Sequence, residues 1–257
     1  MDKKQKLQER DYSIPYHYIS SFHNGFSYTL SDSWGAAYCA SIEFLVRELK
    51  KVEFSSLIDI GCGDGRLLRE IDNVFEKKRL FGIDFSRKAI GFAKVINPSL
   101  NFSTKSIQSI EKRFDIVTLI EVIEHIPPKQ LHCFINSITS VLNKNGHILL
   151  TVPNLNRPAD PRHFQHFSVE SLKALFDQEI FKIVAINFIE PIPKSLFGKF
   201  LHRFLFNSQF AIKNKQLLES FYNNYKRSFV CNQMEDSYRI YMKLQLKETK
   251  SRPTQKK

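Results

Sequence analysis

The chain predicts a doubly wound α/β fold built on a mostly parallel sheet of seven strands, and three observations carry that reading. Short apolar runs alternate with helical stretches from residue 54 onward. A glycine-rich turn, Asp59-Ile60-Gly61-Cys62-Gly63-Asp64-Gly65, sits where the first run passes into a helix. A second acid, Asp84, ends the next run, at about the twenty-residue spacing of a ribose-binding acid. Alternation of this kind implies βαβ units and a parallel sheet.

The elements follow in order. Trp34 to Val52 reads as a helix, because Ala37, Ile42, Leu45, Val46 and Leu49 return at helical spacing. Strands are expected at Leu57–Ile60, Leu80–Ile83, Leu100–Ser103, Asp115–Ile120 and His147–Val152. Helices fall between them at Arg66–Val74, Ser86–Val95 and Pro128–Leu142, and Asn145-Gly146 reads as a helix C-cap glycine leading into a strand. Phe181–Ile189 and Tyr238–Leu246 are two late strands. Glu190 to Asp236, between them, is longer than a compact sheet requires and reads as an inserted helical cap. The chain thus divides into a lid and first helix (1–53), a cofactor-binding core (54–190), a helical cap (191–236), a final strand (237–247) and a disordered basic tail (248–257).

Bulk properties narrow the class. With 257 residues, 42% of them hydrophobic, the chain can bury one sizeable core, and wholesale disorder is excluded. The 23 Phe residues suit ordinary core packing or an apolar pocket. A net charge of +12 favours an anionic partner (nucleic acid, a nucleotide-linked substrate or an acidic membrane surface) or a solvated basic face. Cys39, Cys62, Cys133 and Cys231 show no C-x-x-C spacing, so reduced thiols in a cytoplasmic protein are expected. Residues 1–11 have no apolar stretch, which argues against a signal peptide. No apolar run is long enough to span a bilayer, so the expectation is a soluble or peripheral protein.

The glycine turn suggests its ligand. Three glycines let backbone turn tightly and approach a ligand, and a helix N-terminus follows. The spacing is G-x-G-x-G with an acid just before it, rather than the phosphate-binding G-x-G-x-x-G. Asp59 would repel a phosphate and would suit a cofactor with a cationic amino-acid part, such as the methionine end of S-adenosylmethionine. Asp84 is placed to accept both ribose hydroxyls of an adenosine.

Over Phe54 to Ile189, and again at the last strand, the residues resemble the class I S-adenosylmethionine-dependent methyltransferases, which have a Rossmann-like fold. The resemblance implies that Asp59, Gly61, Gly63 and Gly65, with Cys62 between them, hold the methionine part. It implies that Asp84 binds the ribose and that Phe85 lies against the adenine. Glu121, at the end of the fourth strand, joins the same cofactor site. The family often places an acid after the third strand for the adenine amino group. Here Ser106 stands there, and Ser106 or Gln108 would take that contact.

Glu121, Glu124 and His125 fall at i, i+3 and i+4 in what reads as one helical turn after the fourth strand, on one face. Two carboxylates and an imidazole there can bind a divalent metal, or one of them can act as a base. Downstream, a loop carries His163, His166, Phe167 and Ser168 ahead of a helix near Val169. The ubiquinone-pathway O-methyltransferases share the Glu-x-x-Glu-His turn and rely on a divalent metal. Small-RNA 3′-terminal 2′-O-methyltransferases share it and add a histidine that His163 matches. The resemblance therefore implies a metal set of Glu121, Glu124, His125 and His163, with magnesium as the ion. Other small-molecule methyltransferases carry the same turn without metal. There Glu121 and His125 would shape the pocket and Glu124 would make a structural hydrogen bond or salt bridge.

The function expected is methyl transfer to a small-molecule or sugar acceptor of surface-polysaccharide or secondary metabolism, by in-line displacement at oxygen, with His125 or His163 as base or substrate anchor. RNA 2′-O-methylation is the second reading, less favoured because no RNA-binding module is recognisable. A non-catalytic cofactor-binding subunit is the third. Leu196, Phe197, Phe200, Leu201 and Phe204 form one helical stripe in the cap, suited to a lid packed on its own domain or to a lipid surface. Tyr12, Tyr16, His17, Tyr18 and Phe22 are expected to fold over the cofactor or substrate.

Overall fold

The computed structural model describes residues 2–18, 34–193, 196, 199, 200, 204 and 214–247. Phe22, Phe197, Leu201 and the tail after residue 247 lie outside the described residues. Eight strands form one sheet: β1 Ser56–Ile60, β2 Arg79–Ile83, β3 Asn101–Ser103, β4 Phe114–Ile120, β5 Leu142–Pro153, β6 Phe181–Pro191, β7 Val230–Cys231 and β8 Ser237–Leu246. Their order is β3-β2-β1-β4-β5-β8-β6-β7. The pairs among β1 to β5 are parallel, while β8 runs antiparallel to both β5 and β6.

The sheet is one strand larger than expected. The extra strand, β7, is two residues long and pairs with the outer edge of β6 through Phe188–Cys231 and Ile189–Val230. A run of two residues has no periodicity to detect. The glycine reading at residues 145–146 also needs correction. β5 starts at Leu142, directly after α5 (Pro128–Val141), and the left-handed residue is Asn145, with φ 59°. Asn tolerates that conformation through its short polar side chain.

Strand periodicity explains the core. Leu57, Ile116, Leu149 and Tyr241 face one apolar layer, which includes α2 (Trp34–Leu49), α3 (Arg66–Asp72) and α4 (Arg87–Ile96). Ile58, Val117, Ile148, Leu150, Ile240 and Met242 face the other, which includes α5 and α6 (Val169–Leu175). Side chains alternate faces along a strand, so a sheet covered on both sides needs apolar residues at both parities.

Two segments lie outside this sandwich. α1 (Lys3–Asp11) opens with a capping box between Asp2 and Gln5 and buries none of its residues fully. No apolar period marks it, so its start is legible only from the cap. In the cap, α7 (Lys215–Arg227) folds back on α2: Tyr222 is buried and its hydroxyl donates to Glu43 at 2.9 Å. Leu196, Phe200 and Phe204 are exposed, and the two Phe rings stack at 6.0 Å. Among the described residues, no helix is long and apolar enough to cross a membrane.

Candidate active site

β1 and β4 lie side by side, and the chain leaves them toward opposite ends of the sheet, β2 and β5. Ligands of such sheets bind where strand order reverses, beyond the carboxyl ends of the strands. A cavity of about 810 Å³ opens there. Asp59, Gly61, Cys62, Asp84, Phe85, Ser106, Gln108, Glu121, His125 and His163 all line it. Gly63 and Gly65 do not, and their contribution is backbone shape. Gly61, Gly63 and Gly65 all have positive φ, at 77°, 54° and 83°. A Cβ on Gly61 would meet Val122 at 2.6 Å, and one on Gly63 would meet the Tyr12 hydroxyl at 2.7 Å. Both positions therefore combine left-handed backbone with close approach, which only glycine accepts without strain.

The turn is tied to the second strand. The N–H groups of Gly61 and Cys62 donate to the Ile83 carbonyl at 2.7 and 3.0 Å. The Asp84 carboxylate accepts from the N–H of Gly63 at 3.0 Å and of Ser86 at 2.8 Å. Burial raises the Asp84 carboxyl from its ordinary value, although those two bonds pull it down. Asp59 accepts from the Thr118 hydroxyl at 2.7 Å, and burial pushes its carboxyl up to about 7. Phe85 stays exposed on the wall, and Ser106 pairs with Ser109 at 3.1 Å.

The acid-histidine segment departs from the single helical turn expected of it. Glu121 takes a left-handed φ of 55°, and only Ile123–His125 forms a short 3-10 turn. The three side chains therefore do not share one helical face. The Glu121 carboxylate is held by Arg239 at 3.0 Å and by the Thr151 hydroxyl at 3.0 Å. Burial opposes its ionisation, but Arg239 and Arg157 outweigh this and lower it. Arg239 also pairs with Glu190 at 2.9 Å, as does Arg157. These partners are far from Glu121 in sequence, which hides the network from any local reading.

Glu124, His125 and His163 come together instead. One candidate ligand atom from each lies within 4.8 Å of the others, and Glu121 is not in that group. Glu124 is fully buried, and no other residue's donor reaches either carboxylate oxygen among the described residues. Burial, with repulsion from Glu121, holds its carboxyl well above the usual range. Burial lowers His125, and burial with the neighbouring His125 lowers His163 to about 4. Both imidazoles are thus neutral near pH 7. A buried carboxyl with no donor from another residue, beside two neutral imidazoles, is a donor set that fits a divalent cation, whose charge would favour the ionised acid.

The amino-terminal segment closes one side. Gln5, Gln8, Asp11, Tyr12, Tyr16 and His17 line the cavity. His17 Nδ1 lies 3.0 Å from the fully buried Asp64, and the Arg66 guanidinium donates to the His17 carbonyl at 3.0 Å. His17 stacks on Tyr38 at 5.2 Å. At the other side, Arg162 binds Asp160 at 2.7 Å and Asp11 at 2.6 Å, and the Lys4 ammonium donates to the carbonyls of Pro161 and His163. Asp64 and Arg239 carry no local signature, because each acts through a partner remote in sequence, and Arg162 joins the nearby Asp160 to the remote Asp11. No described cap residue lines the cavity, so the cap's described part buttresses α2 rather than covering the site.

The doubly wound sheet with a cavity at its switch point defines a Rossmann-like α/β fold, and a methyltransferase-domain family model matches residues 33–186. The chain belongs to that family, within the class I S-adenosylmethionine-dependent methyltransferases. It is similar to the mitochondrial ubiquinone biosynthesis O-methyltransferase of Saccharomyces cerevisiae, 29% identical over 102 residues, covering 36% of this chain and 33% of that protein. It is also similar to the ubiquinone biosynthesis O-methyltransferase of Bradyrhizobium diazoefficiens, 30% identical over 127 residues, covering 47% of this chain and 48% of that protein. The chain thus spans about half or less of the length of these curated relatives. Among solved structures, the magnesium protoporphyrin IX methyltransferase of Synechocystis with bound S-adenosylmethionine shares the fold, with TM-score 0.60, 14% identity, and 96% and 98% of the two chains covered.

Proposed function

We propose that the protein transfers the methyl group of S-adenosylmethionine to a hydroxyl oxygen of a small-molecule acceptor, with the help of a divalent cation. The observation that carries the acceptor side is the buried carboxyl of Glu124, which no other residue's donor hydrogen-bonds among the described residues, beside His125 and His163. The relatives named as ubiquinone biosynthesis O-methyltransferases support a hydroxyl acceptor. A sugar hydroxyl fits the same chemistry, and a cytoplasmic setting fits the reduced thiols.

The cofactor supplies an electrophilic methyl group on a sulfonium. The chain's own residues bind and orient it. Asp84, with its lone pairs aligned by Gly63 and Ser86, accepts from the ribose hydroxyls. Asp59 faces the cationic amino-acid end, and Phe85 with Ser106 or Gln108 borders the adenine end. A divalent cation held by Glu124, His125 and His163 would supply Lewis acidity at the acceptor hydroxyl. Tyr12, Tyr16 and His17 exclude water from the reacting side.

The test is calorimetry with S-adenosylhomocysteine followed by turnover on a panel of phenolic, catecholic and sugar hydroxyls. Cofactor binding with O-methyl product supports the reading. Product methylated only at nitrogen or carbon would overturn it.

A further inference from the structure

The charges that line the cavity are unevenly matched. Asp11 and Asp160 both pair with Arg162, and Glu121 pairs with Arg239. Asp59 and Asp84 are tied to Thr118 and Gly63 on the cofactor side. Arg157, the remaining arginine on the wall, is held by Glu190. Two cations are left over. Lys105 and Lys129 line the cavity, both are exposed, and neither ammonium has an ion pair or hydrogen bond among the described residues.

The two lysines belong to one stretch of the rim. Lys105 follows β3, where its main-chain N–H donates to the Ser103 hydroxyl at 3.1 Å. Lys129 stands in the first turn of α5. Ile107, just after Lys105, and Leu131, just after Lys129, are buried in the same apolar layer, and the short 3-10 turn Ile107–Ser109 packs on α5. The loop carrying one lysine therefore lies beside the helix carrying the other. The wall next to Lys129 is apolar, with Ile126, Pro127 and Phe134 lining it. A cleft whose uncompensated charge has one sign draws ligands of the opposite sign. An apolar wall beneath that charge adds a place for a carbon body.

We infer that the methyl acceptor is an anionic hydroxyl compound, with an apolar or aromatic body against Ile126, Pro127 and Phe134 and a carboxylate or phosphate held at the mouth by Lys105 and Lys129. The inference rests on the small-molecule reading proposed above and names the charge class of that acceptor. Two cations at one mouth match a single anionic group, whereas a nucleic-acid backbone is bound by a longer row of them.

The test uses catechols that carry a carboxylate, a phosphonate, a hydroxymethyl or an aminomethyl group at the same ring position. Calorimetry on the full chain, saturated with S-adenosylhomocysteine and Mg²⁺, reads their binding, and methyl transfer from S-adenosylmethionine reads their kcat/KM. An anionic catechol should bind about 5–25-fold more tightly than the hydroxymethyl compound, the worth of two partly exposed ion pairs. That margin should shrink as salt is raised. Lys105→Gln and Lys129→Gln should each cut it about 2–5-fold. Lys105→Glu combined with Lys129→Glu should turn the preference toward the aminomethyl compound. The margin is a ratio within one protein, so a general loss of binding does not mimic the effect. The better of the two anions separates a carboxylate acceptor from a phosphate. Equal affinity for anionic and neutral catechols in the wild type, or no binding of either anion, would overturn the inference. So would a margin unchanged when both lysines are Gln, or tight binding of a single-stranded RNA oligonucleotide with no discrimination among the catechols. If the anions bind through the lysines but no oxygen is methylated, the O-methyl reading fails and the anion site stands.

Discussion

The main-chain N–H of Gly63 donates to the Asp84 carboxylate at 3.0 Å, which joins the turn after β1 to the end of β2. The bond aims one carboxylate lone pair at the turn and leaves others for a ligand. Asp84→Ala removes the acceptor for this N–H and, on the proposed reading, for both ribose hydroxyls. Cofactor affinity should fall by about 1–3 kcal/mol, the usual cost of unmatched polar groups. Isothermal titration with S-adenosylhomocysteine measures it, and unchanged affinity would show that Asp84 has no such role.

Asp59 gives the site a pH dependence. Burial pushes its carboxyl up to about 7, so the acid is half protonated there before any cofactor binds. Only the ionised form attracts a cationic ammonium. Cofactor affinity should therefore drop as pH falls through 7 and level off above it, approaching tenfold per unit on the acid side. Asp59→Asn should flatten this profile. A wild-type profile already flat between pH 5.5 and 8 would contradict the assignment.

The buried Arg239 compensates two half-buried carboxylates at once, Glu121 at 3.0 Å and Glu190 at 2.9 Å. Arg239→Met should destabilise the fold by about 1–3 kcal/mol, because Glu121 loses its cation while Glu190 keeps Arg157. Chemical denaturation reads this directly. Adding Glu121→Gln to the same chain should recover part of the loss, and strict additivity of the two changes would argue against coupling.

His17 fastens the amino-terminal segment through Asp64. Asp64 is fully buried, so His17→Ala leaves its charge without that partner. Amides of residues 12–18 should then exchange faster with solvent, while strands β1 and β4 keep their protection. Equal loss of protection everywhere would mean that the pair supports the whole fold rather than the segment.

Much of this architecture is readable from the residues themselves. β1, β2, β4 and the later part of β5 each show an apolar run bounded by polar turns, β3 (Asn101–Ser103) holds a single apolar residue, and the observed ends differ from expectation most at β5, which starts five residues early. Asp59, Asp84 and the glycines are legible because backbone geometry demands specific residue types at fixed offsets. Other features are not local. Glu121 reads as one face of a helical turn with Glu124 and His125, yet Arg239 and Thr151 draw it away, and its backbone turns left-handed. α1 is stabilised by its cap and by contacts such as Arg162 to Asp11, so no apolar period exposes it.

Methyl transfer from tritiated S-adenosylmethionine to a catecholic acceptor, run on chelator-treated protein with and without added Mg²⁺, tests the central claim most directly. Activity should vanish on chelation, return with Mg²⁺, and stay absent in Glu124→Gln, whose fully buried side chain can no longer supply a carboxylate ligand. Full activity after chelation, matched by Glu124→Gln, would contradict the account.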